Sequence, residues 1–136
     1  MRVLSIRQPW ASLIAAGRKT VELRSWSTNY RGPLLILAGS GLWRGEHDWP
    51  TDGPRGVAVC VVDLVECREF ERADQDASCV PAKELRRLTF EAVPLGPRQW
   101  YSWDLRAPRP VKTAPVKGRL GLYRPDAALL RAVGLQ

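Results

Sequence analysis

The sequence has 136 residues, 45% of them hydrophobic and 26% charged, a length and balance that suit one domain, residues 1–136, with a core of its own. No apolar run approaches the roughly 18 residues of a membrane span, and Cys60, Cys67 and Cys79, with no C-x-x-C pair, argue against a disulfide framework or a zinc ribbon. The net charge of +7 is uneven: residues 1–37 carry six basic groups against Glu22 alone, 38–97 are acidic by four charges, and 98–136 are basic by six.

The chain enters directly on a strand-like Arg2–Ile6 with no signal-peptide core, the pattern expected of a cytoplasmic protein. Pro9 suits a first helical turn, where its missing N–H leaves nothing unpaired. Trp10, Leu13 and Ile14 then share a helical face, and Gly17 is placed to take φ > 0 and stop the helix. Beyond it the period changes to two, so that Lys19, Val21 and Leu23 would face one way and Thr20, Glu22 and Arg24 the other, a phase that a bulge would change. Ser25–Asn29 and Tyr30–Pro33 read as breaks. Leu34–Ala38 reads as a strand buried on both faces.

Residues 39–56 form a long Gly-, Pro- and Trp-rich excursion, with a short helical turn expected around Trp43–His47. Gly56–Glu66 is the clearest strand of the chain. A helix is expected over Ala82–Thr89 and a strand over Gln99–Leu105, and Val111–Val116, held between Pro110 and Pro115, is limited to an edge. Gly118–Tyr123 reads as a short strand or turn, and Pro125–Val133 as a terminal helix stopped by Gly134. Strand and helix do not alternate as in a βαβ array. The expected fold is therefore α+β, mainly β: about six strands closing into a small barrel, with short helices packed at its ends.

Several residues offer chemistry. Lys19, Glu22 and Arg24 put two cations and a carboxylate within six positions. That set admits a surface ion-pair ladder worth well under ~1 kcal/mol per pair, or a site in which lysine acts as base or phosphate ligand and arginine as a bidentate clamp. Trp100 and Trp103, three apart on a strand, face opposite sides, one toward the core and the other free to stack on a base. Trp26 follows the charged strand in a turn, where a core role is less automatic. His47 beside Asp48 hints at a general base, yet no activated serine or cysteine accompanies it. With one histidine and no carboxylate cluster at ligand spacing, no metal site is expected. No P-loop or G-x-G-x-x-G points to a nucleotide cofactor, and none is expected.

Leu4-Ser5-Ile6-Arg7-Gln8-Pro9-Trp10-Ala11-Ser12-Leu13, Gly17 to Trp26, and Tyr30-Arg31-Gly32-Pro33-Leu34 resemble the opening of the ASCH domain family (activating signal cointegrator homology), whose G-x-K-x-x-E-x-R signature is matched at Gly17, Lys19, Glu22 and Arg24. The strand ending Val62-Asp63-Leu64-Val65-Glu66-Cys67, the Trp103-Asp104-Leu105 strand and Pro115-Val116-Lys117-Gly118 extend the resemblance over nearly the whole chain, with a loose match over 67–98. It implies a PUA-like β-barrel with a cleft lined by the signature.

Relatives of that fold bind RNA, and one branch binds DNA. Certain bacterial members are amidohydrolases that deacylate N4-acetylcytidine with a lysine, a threonine and a glutamate. The lysine corresponds to Lys19; the threonine position is Glu22 here, and the glutamate has no clear counterpart. The leading expectation is a module that binds nucleic acid, RNA or single-stranded DNA, through Arg7, Lys19, Glu22, Arg24, Trp26, Trp103 and Lys117. The alternative is an amidohydrolase on a modified nucleoside, with Lys19 and Glu22 catalytic; the resemblance also admits a ribonuclease activity, for which no residue set stands out in the sequence. A third reading gives the Trp-rich 42–54 loop a protein partner. No membrane association is expected.

Overall fold

The computed structural model describes residues 1–91 and 99–136. Five strands, β1 (Arg2–Gln8), β2 (Val21–Arg24), β3 (Gly32–Leu42), β4 (Val57–Glu69) and β5 (Tyr101–Pro110), form one mixed sheet in the order β1-β3-β4-β5-β2, curled into a half-barrel. β1 runs parallel to β3, and the other three pairings are antiparallel. Four short helices accompany it: α1 (Trp10–Ala15), α2 (Gln75–Ser78), α3 (Ala82–Arg86) and α4 (Ala127–Ala132).

Alternation along β3 shows why both sheet faces are covered. Leu34, Ile36 and Ala38 join α1 and the side chains of Leu4, Ile6, Val62 and Trp103 in one core. Leu35 and Leu37 turn to the other face, with Val3, Ala58, Val61, Ala114 and Val133. The expected doubly buried strand is present and longer than Leu34–Ala38. Its extension through Gly39–Leu42 takes up the start of the loop, because Gln8 pairs with Leu42 and the Trp43 amide donates to Gln8 O at 2.8 Å.

The helix stop at Gly17 is as expected. Gly17 has φ 76, its amide donates to Ile14 O, and the Arg18 amide reaches back to Leu13 O, which together satisfy the last carbonyls of α1. The helix itself is shorter than its apolar face suggests. The Ala82–Thr89 helix begins as α3 and continues as a π turn over Arg87–Glu91. The terminal helix is capped by Asp126, whose carboxylate accepts from the Leu129 amide at 2.7 Å.

Two expected elements are absent among the described residues. No helical turn forms around Trp43–His47 and Val111–Val116 is not a strand, while Gly118–Tyr123, expected as a short strand or turn, takes a bend at Leu120–Gly121. Each of the last two segments makes a single bridge, Pro115 to Val57 and Tyr123 to Val3. Proline removes the ladder donors in the first, and glycine punctuates the second. Among the described residues the sheet thus has five strands where about six were expected. The bridges still carry the basic C-terminal third across the sheet to β1.

One polar network fastens α2 to the sheet. Arg68 on β4 donates to both oxygens of Asp74, at 2.7 and 2.8 Å, and Asp74 also accepts from Ser102 Oγ on β5 at 2.7 Å and from the Glu71 amide at 2.9 Å. These donors, the Arg68 guanidinium foremost, hold the Asp74 carboxyl at a pKa of about 2, below its ordinary 3.8. A depressed carboxyl stabilises the fold above pH 3.8, and the contribution fades as pH falls toward 2. Asp74→Asn is therefore expected to cost about 2 kcal/mol or more at pH 7. Urea midpoints for the two proteins should converge as pH is lowered to 2, and a gap that stays constant with pH would contradict the assignment.

Candidate functional site

The signature lies where α1 hands the chain to β2. Lys19 precedes β2, so strand alternation does not govern it, and its side chain folds inward to 2% exposure. Its ammonium donates to Ser78 O at the carbonyl end of α2 at 2.6 Å, lies 3.5 Å from Glu22 Oε1, and sits 4.9 Å from the centre of the Trp10 ring. A terminal helix carbonyl is a natural partner for a cation. Burial lowers the Lys19 pKa below that of an ordinary lysine, while the neighbouring Glu22 carboxylate acts in the opposite direction.

Glu22 is 6% exposed and bridges the two cations. Its second oxygen lies 3.1 Å from Arg24 Nε, and Arg24 Nη2 donates to Ser5 O on β1 at 2.9 Å. The open edges of the half-barrel, β1 and β2, are thereby tied by a side chain rather than by a ladder. The three charged residues form a chain running from α2 to β1, not a surface ladder.

Between those edges lies a cleft of about 790 Å³. Arg7, Arg24, Lys117 and Arg119 line it, together with Glu22, the sole carboxylate among the described lining residues. The two basic ends of the chain do meet here: Arg7 and Arg24 come from the N-terminal third, Lys117 and Arg119 from the C-terminal third. Trp10, Trp26, Trp43 and Trp100 contribute aromatic surface. Gly118 packs against Ser5 so closely that a Cβ there would collide with the serine hydroxyl, which keeps the 117–120 segment drawn over β1.

Of the expected site residues, Arg7, Glu22, Arg24, Trp26 and Lys117 reach the cleft. Two do not. Lys19 lies behind Glu22 and acts on the cleft only through it. Trp103 is fully buried: β5 pairs it with Glu22 on β2, and its ring supports Trp26 edge-on at 4.8 Å. The aromatic of that pair that reaches the cleft is the half-buried Trp100, which precedes β5. Sequence reasoning missed Arg119, although its place beside Lys117 in the basic third was a signal. It also missed Ser78, for which the sequence offered none.

The 42–54 segment turns its aromatics inward. Trp43 packs on Trp10 at 5.0 Å and Trp49 Nε1 donates to Cys79 O at 2.8 Å. His47 leans on Trp10 and accepts the Trp49 amide through Nδ1 at 3.1 Å, which is a turn-holding role rather than a catalytic one. Gln8 Nε2 binds Pro54 O at 2.8 Å, fastening the far end of the loop. Among the described residues no group of three or more His, Cys, Asp or Glu side chains has the geometry of a metal site. Among the described residues no helix is long and apolar enough to cross a membrane.

The ASCH domain profile matches residues 4–116, and the chain belongs to that family. It is similar to activating signal cointegrator 1 of Homo sapiens and of Mus musculus, with 37% identity over 94 residues in each, covering 55% of this chain and 16% of the relative. The chain thus corresponds to a small part of those proteins' length. The crystal structure of ASCH from Zymomonas mobilis superposes with a TM-score of 0.66 and 16% identity, covering 98% of this chain and 92% of that one. A variant of the same bacterial protein gives 0.65 and 15%, covering 96% and 93%. The protein is an ASCH domain of the PUA-like fold.

Because Lys19 holds its proton less firmly folded than unfolded, folding at alkaline pH releases protons, and the cost of burying its charge is relieved as pH rises toward 10.5. Wild type is expected to gain stability relative to Lys19→Met between pH 8 and 10, read from paired urea melts. A difference that is flat or moves the other way would contradict the lowered pKa.

Proposed function

We propose that this ASCH domain binds nucleic acid, RNA or single-stranded DNA, in the cleft between β1 and β2. One observation carries the reading: basic side chains from both ends of the chain line the same cleft as four tryptophans. Arg7, Lys117 and Arg119 are exposed and suited to phosphate oxygens. Trp26, half-buried and braced by Trp103, offers a face for an unstacked base. Lys19 positions Glu22 from behind.

The amidohydrolase alternative draws on the lowered pKa of Lys19, a property suited to a base. Its requirement is a lysine amine within reach of the substrate. The 2% exposure of Lys19 and its engagement by Ser78 O weigh against that requirement. A nucleic-acid module needs no such access, since its contacts are already on the cleft wall.

Fluorescence anisotropy with a labelled single-stranded oligonucleotide over a salt series tests the proposal. Lys117→Ala and Arg119→Ala are each expected to weaken binding across sequences and to reduce the log–log salt slope by about 1. Trp26→Ala is expected to lose roughly tenfold or more in affinity. Binding no tighter than to a charge-matched basic control protein, or unmoved by all three substitutions, would refute it.

A further inference from the structure

Glu22 is out of keeping with a phosphate-binding cleft, because a carboxylate repels phosphate. Its place is nonetheless firmly held, between Lys19 on one oxygen and Arg24 on the other. A carboxylate accepts about four hydrogen bonds and donates none. Those two contacts leave acceptor capacity on a group that lines, at 6% exposure, the same cleft as Trp26.

From this geometry we infer that Glu22 reads a base edge, and that the base is an unpaired guanine; the inference rests on the nucleic-acid reading above. An acceptor-only carboxylate is matched by two adjacent donors. The guanine Watson–Crick edge supplies N1–H and the N2 amino group side by side. On cytosine and adenine the amino group sits next to a ring-nitrogen acceptor, which the second carboxylate oxygen would meet unfavourably. Uracil and thymine present a single N3–H flanked by two carbonyls. In a duplex the guanine edge is already occupied by its partner, so the ligand is single-stranded at that position. The tryptophan contacts the base face and the arginines the flanking phosphates, leaving identity to Glu22.

The first comparison changes the ligand and leaves the protein intact. Oligonucleotides with one central guanine in a uniform uracil context are compared with the same strands carrying inosine, adenine or cytosine there. The duplex form of the guanine strand is compared as well. Guanine is expected to bind roughly tenfold or more tighter than adenine or cytosine, the range of a bidentate contact. Inosine, which lacks only the N2 amino group, should fall between, and the duplex should lose the preference. Glu22→Gln should flatten the series, with circular dichroism confirming that the variant is folded. Equal affinity for all four strands, still weakened by Lys117→Ala, would overturn the guanine assignment and leave the nucleic-acid reading standing. No binding to any strand would overturn both.

Discussion

Lys19 is an ammonium group at 2% exposure, and an uncompensated buried charge is among the costliest features a small domain carries. Much of the local architecture compensates it. The carbonyl end of α2 comes within 2.6 Å, Glu22 turns back from β2, and the Trp10 face covers one side. The arrangement requires α2 to stay against the sheet, which the Arg68–Asp74–Ser102 network secures. It also fixes Glu22, and Glu22 in turn restrains Arg24 across the open edge between β2 and β1. A signature that begins just after α1 thus shapes a cleft through contacts with segments far away in the chain.

The same arrangement sorts the charged residues by task. Lys19 is spent on structure, and its position leaves Glu22 as a fixed acceptor at the cleft wall. The exposed cations belong to other segments, Arg7 on β1 and Lys117 and Arg119 beyond β5. Separating them from the Lys19–Glu22–Arg24 cluster lets the basic cleft surface vary without disturbing the fold. The tryptophans divide in the same way: Trp103 is a strut and Trp26 the surface it supports.

The sequence made some of this legible for local reasons. Gly17 could be read as a stop because the left-handed φ it adopts is a property of one residue, and Leu34–Ala38 could be read as doubly buried because the apolar run is uninterrupted. The meeting of the two basic ends was readable as a condition, though its fulfilment depends on Tyr123 bridging to Val3. What stayed hidden was set by tertiary partners. Alternation assigned Lys19 to the face opposite Glu22, but Lys19 lies before the strand and follows the α2 carbonyls instead. The Trp100 and Trp103 roles could not be ordered without the pairing of Trp103 with Glu22. Ser78 and the Asp74 network sit in the stretch least like the family pattern, where no periodicity announces them.

The central claim is that Lys19 and Glu22 act as one buried unit that positions the cleft. A double-mutant cycle on Lys19→Met, Glu22→Gln and the double variant, read at pH 7 both by urea unfolding and by oligonucleotide affinity, tests it most directly. Each single variant should be destabilised, with the double variant recovering part of the loss and a coupling energy of at least ~1 kcal/mol. Affinity should drop for Lys19→Met although Lys19 touches no ligand, with little further loss when Glu22→Gln is added. Additive stabilities, together with an affinity indifferent to Lys19→Met, would contradict the account.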